Sequence, residues 1–356
     1  MKKVIPALSL FIFIISSCVK DVNDLSKNPV DQSTLNSSET NAATASSTKF
    51  GAMQAGNYTI DEKENIYRKL GVDYIRYSIV MDNWNGSNKG YERYTKDGFH
   101  VVLNVNQHEQ PTKEDRPLPF ARDTVAYKKK LAAILDKYKP AVLVIENEET
   151  NLTYHYGSMR DYINMLKAAI TVAHARGIKV ADGGIHPRGL CYFIWKKYMN
   201  QGQTKKADDW MNSTMNSQMQ FAAQHPEKKD NQIRIYWNRL DTLLNAFTKM
   251  KLDYVNIHIY EPINNVGTGK VTVPGAIATM ADYVRDRTGK LVMSNECGQH
   301  NTYPTCVTSM MNAFVDGDYK YAIWFSGDGT NAMALTNNNG TLRTNGVAFK
   351  DFMSTY

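Results

Sequence analysis

Eight short apolar runs of β-type residues alternate along this chain with segments that have helical spacing. The runs are residues 50–55, 74–80, 100–106, 141–147, 179–185, 254–260, 291–295 and 321–325, and the helical segments include 61–70, 124–138, 159–176, 233–250, 274–287, 306–315 and 347–356. Strands that alternate with helices form βαβ units, whose strands lie parallel in one sheet. Eight such units predict a closed (β/α)8 TIM barrel, and residues 49–356 are enough for a barrel of about 250 residues with insertions.

The composition agrees with one large folded domain. The chain is 42% hydrophobic and 22% charged, without a long block of one charge sign, so it can bury a sizeable core. The main alternative is an open doubly wound sheet, whose first strand is normally followed by a glycine-rich phosphate-binding turn. No such turn follows residues 50–55, which favours the closed barrel.

The longest insertion lies between predicted strands five and six, at residues 188–251, and it contains Trp195, Trp210 and Trp237. Loops that follow barrel strands lie on the catalytic face, so this insertion could form one wall of a cleft. For each tryptophan, packing in the core is favoured over contact with a ligand, because large aromatic side chains are usually buried.

The N-terminus is typical of a secretory signal. Lys2 and Lys3 precede an almost wholly apolar stretch, residues 4–15, that is too short to span a bilayer. Small residues then precede Cys18, and this arrangement resembles the bacterial lipobox, in which the cysteine is acylated and becomes the mature N-terminus. The alternative is an ordinary signal peptide followed by a chance cysteine. We expect a signal peptide at residues 1–17 and lipidation of Cys18.

Residues 18–48 are rich in Ser, Thr, Asn, Asp and Ala and lack aromatic side chains, which predicts a flexible tether. Acyl chains on Cys18 would anchor the domain, since each buried methylene contributes about 0.8 kcal/mol. The short acidic stretch after Cys18 loosely resembles the export signal of Bacteroidetes lipoproteins. The expected location is therefore the outer membrane, with the domain facing the periplasm or the cell surface.

Charge and cysteine content limit the partners. Loss of Lys2 and Lys3 with the signal peptide would lower the formal net charge from +7 to +5, and the surplus is spread along the chain without a basic cluster. No nucleic-acid partner is expected, membrane contact is expected only through the lipid, and the domain is expected to be a monomer without a cofactor. A disulfide bridge between Cys297 and Cys306 and free thiols are both open alternatives.

Predicted strands four and seven both end in the dipeptide Asn-Glu, at Asn147-Glu148 and Asn295-Glu296. Active sites of these barrels lie at the C-terminal ends of the strands, and strands four and seven face each other across the mouth. Two carboxyls about 5 to 5.5 Å apart are what hydrolysis of a glycosidic bond with retention requires. Glu148 and Glu296 are therefore a candidate pair. Glu146 has the same side-chain parity as Glu148 and is the alternative on strand four.

These positions resemble clan A of the retaining glycoside hydrolases, whose acid/base glutamate follows an asparagine at the end of strand four and whose nucleophile ends strand seven. The resemblance implies that Glu148 is the acid/base and Glu296 the nucleophile of a double displacement on a β-linked oligo- or polysaccharide. Glu148 would then need a raised pKa, while a nearby cation and a tyrosine hydroxyl would keep Glu296 ionised.

Supporting positions on other strands match the same clan. Arg76 resembles its active-site arginine, and Asn147 resembles the asparagine that contacts the sugar 2-hydroxyl. The His-x-Tyr of His258 and Tyr260 resembles a motif whose tyrosine hydrogen-bonds the nucleophile. Trp324 resembles the tryptophan that floors the sugar subsite beside the cleavage point. The resemblance thus implies a carbohydrate-binding cleft.

Two further functions stay open. Glu149 and Cys297 replace the residues that usually follow the clan's two glutamates, which suggests a weakly active or inactive surface glycan-binding protein. A metallohydrolase is suggested by His108, His186 and His258, which are expected near strand ends. Zinc barrels usually carry His-x-His on the first strand, and residues 50–55 have none. We therefore expect no metal, and interpret these histidines as sugar contacts or supporting donors, with packing an equal alternative for His186.

The substrate depends on βα loops whose shapes the sequence does not determine. The loop after strand two is aromatic, with Trp84, Tyr91 and Tyr94, which is consistent with stacking on pyranose rings.

Overall fold

The structure is a computed structural model that describes residues 48–109, 117–228, 232–261, 263, 275–327 and 333–356. The predicted signal peptide, Cys18 and residues 18–47 of the predicted tether lie outside the described residues. Thr48, which the sequence assigns to the tether, is buried, and its carbonyl accepts a hydrogen bond from the Tyr356 hydroxyl at 3.1 Å. The folded domain therefore includes Thr48.

Eight parallel strands close into a barrel. They are β1 (Lys49–Gln54), β2 (Tyr74–Val80), β3 (His100–Asn106), β4 (Val142–Ile145), β5 (Val180–Ala181), β6 in two segments (Tyr254–Asn256 and Ile259–Glu261), β7 (Leu291–Gln299) and β8 (Tyr321–Ser326). Each strand pairs in parallel with the next, and β8 pairs with both β7 and β1. The pairing of β8 with β1 closes the sheet, which confirms the predicted (β/α)8 fold class.

Helices surround this barrel. They are α1 (Ile60–Leu70), α2 (Lys89–Lys96), α3 (Thr124–Lys137), α4 (Met159–His174), α5 (Pro187–Asn200), α6 (Thr204–Thr214), α7 (Ser217–Gln224), α8 (Gln232–Phe247), α9 (Gly275–Thr288), α10 (Pro304–Asp316) and α11 (Thr344–Thr355). The seven helices expected from periodicity are present within a few residues at either end. No helix in the described part of the chain is long and apolar enough to cross a membrane.

The unpredicted helix α2 corrects the interpretation of the aromatic loop after strand two. Tyr91 and Tyr94 lie on α2, and only 3% and 1% of their surfaces are exposed. Trp84, in the loop before α2, is half-buried and packs against the same core. The two tyrosines therefore stabilise the helix layer, and they are not available to stack on a ligand.

The long insertion forms α5, α6, α7 and α8, and its tryptophans support the core interpretation. Trp237 is buried and its ring stacks on Tyr192 with centroids 3.9 Å apart. Trp210 is buried and its indole N–H donates to the Cys191 carbonyl at 2.9 Å. Trp195 is half-buried against the same core.

The three described cysteines, Cys191, Cys297 and Cys306, are buried free thiols. The suggested bridge between Cys297 and Cys306 is therefore wrong for this structure. Burial raises the pKa of each thiol, so all three stay protonated at neutral pH.

The barrel interior is apolar at its base and polar at its mouth. Alternate side chains of each strand point inward, and a small inner cluster contains Val102, Val144 and Ile323. On β2 and β3 the same inward positions continue with Arg76 and Asn104 further along the strand. The inward-pointing positions are therefore apolar near the start of these strands and polar near their C-terminal ends.

Candidate active site

Glu148 and Glu296 face each other across the mouth of the barrel. One oxygen of each carboxylate and a ring nitrogen of His258 all lie within 4.8 Å of one another. Each glutamate side chain is 14% exposed, so both are largely shielded but open to the mouth. The two candidate carboxylates are therefore close together, as their strand-end positions predict.

A bulge in β7 turns Glu296 toward the barrel axis. Consecutive residues of a regular strand point to opposite faces, yet both Asn295 and Glu296 contact inward groups. The pairing of β7 with β8 shifts register between Ser294 and Cys297. A bulge of this kind adds a residue and re-aims the side chains after it, and Cys297 accordingly points into the outer core.

Both oxygens of Glu296 are occupied. Oε1 accepts a hydrogen bond from the Tyr260 hydroxyl at 2.6 Å, and Oε2 forms an ion pair with the buried guanidinium of Arg76. Burial raises the pKa of Glu296, but the charges of His258 and Arg76 lower it further, and the net direction is below the ordinary value. Glu296 is therefore an oriented and ionised carboxylate.

Arg76 also orients Asn147. Its second terminal nitrogen donates to Asn147 Oδ1 at 2.6 Å, so the amide of Asn147 keeps its N–H groups as donors. His155, which the sequence interpretation missed, makes a contact of 2.9 Å with the Asn147 carbonyl and stacks on Phe120. Arg76 thus links the side chains at the ends of β4 and β7.

Two left-handed residues decide which glutamate of strand four faces the site. Glu146 and Glu148 have φ values of 65° and 49°, which are uncommon for residues other than glycine and cost about 1–3 kcal/mol each. The turn ends the regular alternation, and the Glu148 N–H donates to the Gly183 carbonyl at 3.1 Å. Glu148 therefore faces Glu296, while Glu146 Oε1 accepts from the Gln107 N–H at 2.8 Å.

Glu148 is paired with His258. Its Oε1 lies 3.3 Å from His258 Nδ1, and its Oε2 accepts from the Asn151 amide at 2.8 Å. Burial raises the pKa of Glu148, but the hydrogen bond and charge of His258 lower it further, so the net direction is downward. The pKa of His258 is raised, since both glutamates outweigh its burial. The pair thus holds one proton on the histidine, and the expected raised pKa of Glu148 is wrong for this arrangement.

A network of buried asparagine side chains contacts the other ring nitrogen of His258. His258 Nε2 lies 2.9 Å from Asn295 Oδ1, which also accepts from the Asn256 amide at 2.7 Å. Asn295 donates in turn toward Asn104 at 3.4 Å. Sequence reasoning missed Asn104, Asn256 and Asn151. Asn104 and Asn256 lie at inward positions near strand ends, and that position could have identified them; no sequence signal marks Asn151.

The other two predicted histidines have different surroundings. His108 pairs with Asp82 and is 30% exposed, and it lines a small cavity together with Glu146 and Asn147. His186 caps helix α5, where its Nδ1 accepts from the Arg188 N–H at 3.2 Å. Burial and the charge of Arg188 lower the pKa of His186 to about 4, so it is neutral at pH 7. His186 therefore caps α5 through its Nδ1, and its contact with a sugar stays a prediction.

Trp324 corrects the prediction for strand eight. Its side chain is 1% exposed and packs edge-on against Phe349 of α11, in the layer between the barrel and the helices. The inward positions of β8 are Tyr321 and Ile323, so the next inward residue is Phe325. Phe325 is half-buried and contacts the ring of Tyr260 at 6.3 Å between centroids. The aromatic residue of β8 at the mouth is therefore Phe325.

We expect Trp324→Ala to lower the free energy of unfolding by about 3–5 kcal/mol, because it empties a large core position. Phe325→Ala should cost clearly less stability and instead weaken binding of a ligand at the mouth. Urea denaturation of both variants, beside ligand titrations, measures the difference. Equal stability loss in the two variants would contradict this placement.

The buried carboxyl of Glu146 should make the free energy of unfolding depend on pH. Glu146 is 4% exposed, and burial raises the pKa of its carboxyl to about 8. The folded protein then binds the proton more tightly than the unfolded chain. The resulting stabilisation is complete below pH 4.5 and is lost as the pH rises toward 8, by at most about 1.4 kcal/mol per pH unit. Glu146→Gln keeps the acceptor for Gln107 and removes this titration.

Urea denaturation between pH 5 and pH 8 should therefore show a steeper loss of stability in the wild type than in Glu146→Gln. Glu109 is exposed, so Glu109→Gln is the control, and its stability should depend on pH in the same way as that of the wild type. Parallel curves for the wild type and Glu146→Gln would contradict the assignment of a buried, protonated carboxyl.

Comparison with known proteins identifies the fold. No protein-family model matches the sequence, and no curated protein matches it. Among solved structures, the hyperthermophilic β-glucosidase from Pyrococcus furiosus is 11% identical, with a TM-score of 0.52 over 83% of this chain and 83% of that one. A GH128 (subgroup II) endo-β-1,3-glucanase from Sorangium cellulosum is 14% identical, with a TM-score of 0.51 over 85% of this chain and 97% of that one. The chain thus has the (β/α)8 barrel fold that these two enzymes have.

Proposed function

We propose that this protein is a retaining glycoside hydrolase of clan A that cleaves β-linked oligo- or polysaccharides, with Glu148 as acid/base and Glu296 as nucleophile. The observation that carries the proposal is the separation of the two carboxylates. Their nearest oxygens lie within 4.8 Å, which supports the roughly 5 to 5.5 Å between the carboxyl groups of retaining enzymes over the 6.5 to 9.5 Å of inverting ones.

In the first step, Glu296 attacks the anomeric carbon and the glycosidic oxygen leaves with a proton from Glu148. Arg76 and Tyr260 orient the attacking carboxylate and keep it ionised. The proton is supplied by the Glu148–His258 pair, in which His258 Nδ1 passes it to Glu148 across 3.3 Å. Glu148 in turn delivers it to the leaving oxygen, so that the pair ends the step without its proton.

In the second step, water attacks the anomeric carbon and displaces the carboxylate of Glu296 from the sugar. Glycosylation removes the negative charge of Glu296, which is the largest favourable charge raising the pKa of His258. Glu148 accepts a proton from the attacking water, and the Glu148–His258 pair regains the proton it lost. Asn147, oriented by Arg76, donates an N–H to a sugar hydroxyl, and Phe325 offers an apolar surface to the ring.

The first substrates to test follow from the structural neighbours. One of them is a β-glucosidase and another an endo-β-1,3-glucanase. We therefore propose β-glucosides and β-1,3-linked glucans as the first substrate class.

A second candidate function is glycan binding without efficient turnover. The observation that favours it is the ion pair of Glu148 with His258, because an unprotonated carboxylate is not an acid. A metal site is less favoured among these residues. Glu148, His258 and Glu296 could offer three ligand atoms, but Arg76 and Tyr260 already occupy both oxygens of Glu296.

A hydrolysis screen across defined β-glycans, beside calorimetric titrations with the same glycans, separates these functions. The proposal expects products from the wild type, and binding without products from Glu296→Gln. Binding without products from the wild type would favour the glycan-binding function and contradict the enzyme.

A further inference from the structure

Glu149, the neighbour of Glu148, is a buried carboxyl without an ordinary partner. It is 0% exposed, and apart from its own backbone N–H, no described donor reaches either of its oxygens. A buried carboxylate without donors or a cation is strongly unfavourable. The nearby guanidinium of Arg239 does not serve it, since Arg239 donates to the backbone carbonyls of Glu149 and Gly157 at 3.0 and 3.1 Å.

The group that faces Glu149 is the carboxyl of Asp182, which directly follows β5 and is also 0% exposed. Asp182 Oδ1 accepts from the Asn256 N–H at 2.8 Å, and Oδ2 from the Gly184 N–H at 3.4 Å. Burial raises the pKa of Asp182 to about 7, but these donors and the contact with Glu149 oppose the rise, so Asp182 is the group of the two that more readily holds the negative charge. Two carboxyls can form a hydrogen bond only when one of them carries a proton, so the proton belongs to Glu149.

The surrounding charges agree with one shared proton. Burial and the neighbouring Asp182 raise the pKa of Glu149 well above its ordinary value. The other titratable groups around the two carboxyls are Glu148, Glu146, Arg239, Tyr162 and Tyr236. Arg239 is the one cation among them and bonds backbone carbonyls, and the two tyrosines are neutral at pH 7. None of these groups supplies a positive charge or a donor that could stabilise both carboxyls in the ionised form.

This pair contacts the backbone that positions the candidate acid/base. A Cβ added to Gly183 would lie 2.7 Å from Glu149 Oε2, so the carboxyl packs directly on Gly183. The carbonyl of the same glycine accepts the N–H of Glu148. Asp182 also fixes Asn256, whose amide bonds the Asn295 oxygen that contacts His258.

We propose that Glu149 and Asp182 form a carboxylic acid–carboxylate pair that shares one proton and positions Glu148 against His258. The pair joins the ends of β4 and β5 beneath the acid/base, and this positioning role rests on the proposed function of Glu148. Loss of the shared proton at alkaline pH would leave two adjacent buried negative charges. The resulting repulsion would move the backbone around Gly183 and so displace Glu148.

Two variants of Glu149 separate positioning from packing. Glu149→Gln keeps a side-chain donor toward Asp182 that cannot be lost by titration, whereas Glu149→Leu fills the space and leaves Asp182 only its backbone donors. With aryl β-glucosides, Glu149→Leu should lower kcat/KM by about 10²-fold, as expected for a displaced catalytic group. Glu149→Gln should restore most of this loss and shift the alkaline decline of kcat/KM to higher pH than in the wild type.

Leaving groups distinguish a positioning role from general damage. Dinitrophenyl glycosides need little protonation, so Glu149→Leu should lose much less activity on them than on phenyl glycosides. Equal losses on both substrates, or a Glu149→Gln profile identical to that of Glu149→Leu, would overturn the positioning role.

Infrared spectroscopy tests the shared proton without turnover. The wild type minus Glu149→Gln difference spectrum at pH 7 should contain the C=O band of one protonated carboxylic acid, with wild type minus Glu146→Gln as the reference for such a band. Absence of that band would overturn the pair. If the band is present while the wild type hydrolyses no glycan, the proposed enzyme fails and the proton-sharing pair stands.

Discussion

Glu296→Ala is expected to abolish hydrolysis, with kcat/KM falling by at least about 10⁴-fold on an aryl β-glucoside. The reason is that Glu296 is the carboxylate that Arg76 and Tyr260 hold ionised at the mouth of the barrel. Without it no covalent intermediate can form, and the remaining groups supply only binding and orientation. Steady-state kinetics measure the loss, and circular dichroism checks that the variant is folded.

Two controls make this result specific. Glu296→Gln keeps the size of the side chain and an oxygen for Arg76, so a loss of similar size would exclude collapse of the site as the cause. Exposed Glu227→Ala should leave kcat/KM near the wild-type value. Wild-type turnover in Glu296→Ala would eliminate Glu296 as the nucleophile.

Glu148→Ala is expected to lower kcat/KM by about 10²–10⁴-fold on substrates with poor leaving groups, which is the range for loss of general acid–base catalysis. The loss should be smaller for dinitrophenyl glycosides, because their leaving group needs no proton. Azide should fit the space of the missing carboxylate and attack the glycosyl-enzyme, giving a β-glycosyl azide. The product is identified by mass spectrometry and NMR.

Glu146→Gln is the matched comparison for Glu148→Ala, because both residues belong to the same left-handed turn. Glu146 bonds the Gln107 N–H and faces away from Glu296, so its variant should retain most of its activity. A large loss of kcat/KM in Glu146→Gln, together with no azide rescue of Glu148→Ala, would reverse the assignment on strand four.

The barrel could be predicted because its signals are periodic. Eight apolar runs and their intervening helices determine the count, the parallel order and the closure. Helix α2 is not predicted, because it is only eight residues long and its aromatic residues suggest a ligand-binding loop instead. In the insertion, the spacing predicts α8 but not α5, α6 and α7, and the preference of its tryptophans for the core is confirmed.

The sequence predicts those residues of the candidate site whose position follows from the C-terminal end of a strand. Glu148, Glu296, Arg76 and Tyr260 follow from position and resemblance, and the structure brings them together. The resemblance misplaces Trp324 because a match of residue type on a strand does not give side-chain parity, and the inward positions of β8 are odd-numbered. The β7 bulge has no sequence signal here that distinguishes it from a regular strand.

The protonation states of the site residues could not be predicted from the sequence either. The lowered pKa of Glu148 depends on the 3.3 Å contact with His258, a residue 110 positions away in the chain. The buried Glu149–Asp182 contact likewise joins two strands. Charged residues that are far apart in the sequence and come together only in the folded structure produce no recognisable pattern within one segment.

The stereochemistry of the first-formed product tests the central claim most directly. Proton NMR of a β-glycan during hydrolysis by the wild-type protein should show the β-anomer of the new reducing end first, followed by slow mutarotation to the equilibrium mixture. That order is what two displacements through Glu296 require. Early appearance of the α-anomer would mean a single displacement with inversion, and would contradict the roles proposed for Glu148 and Glu296.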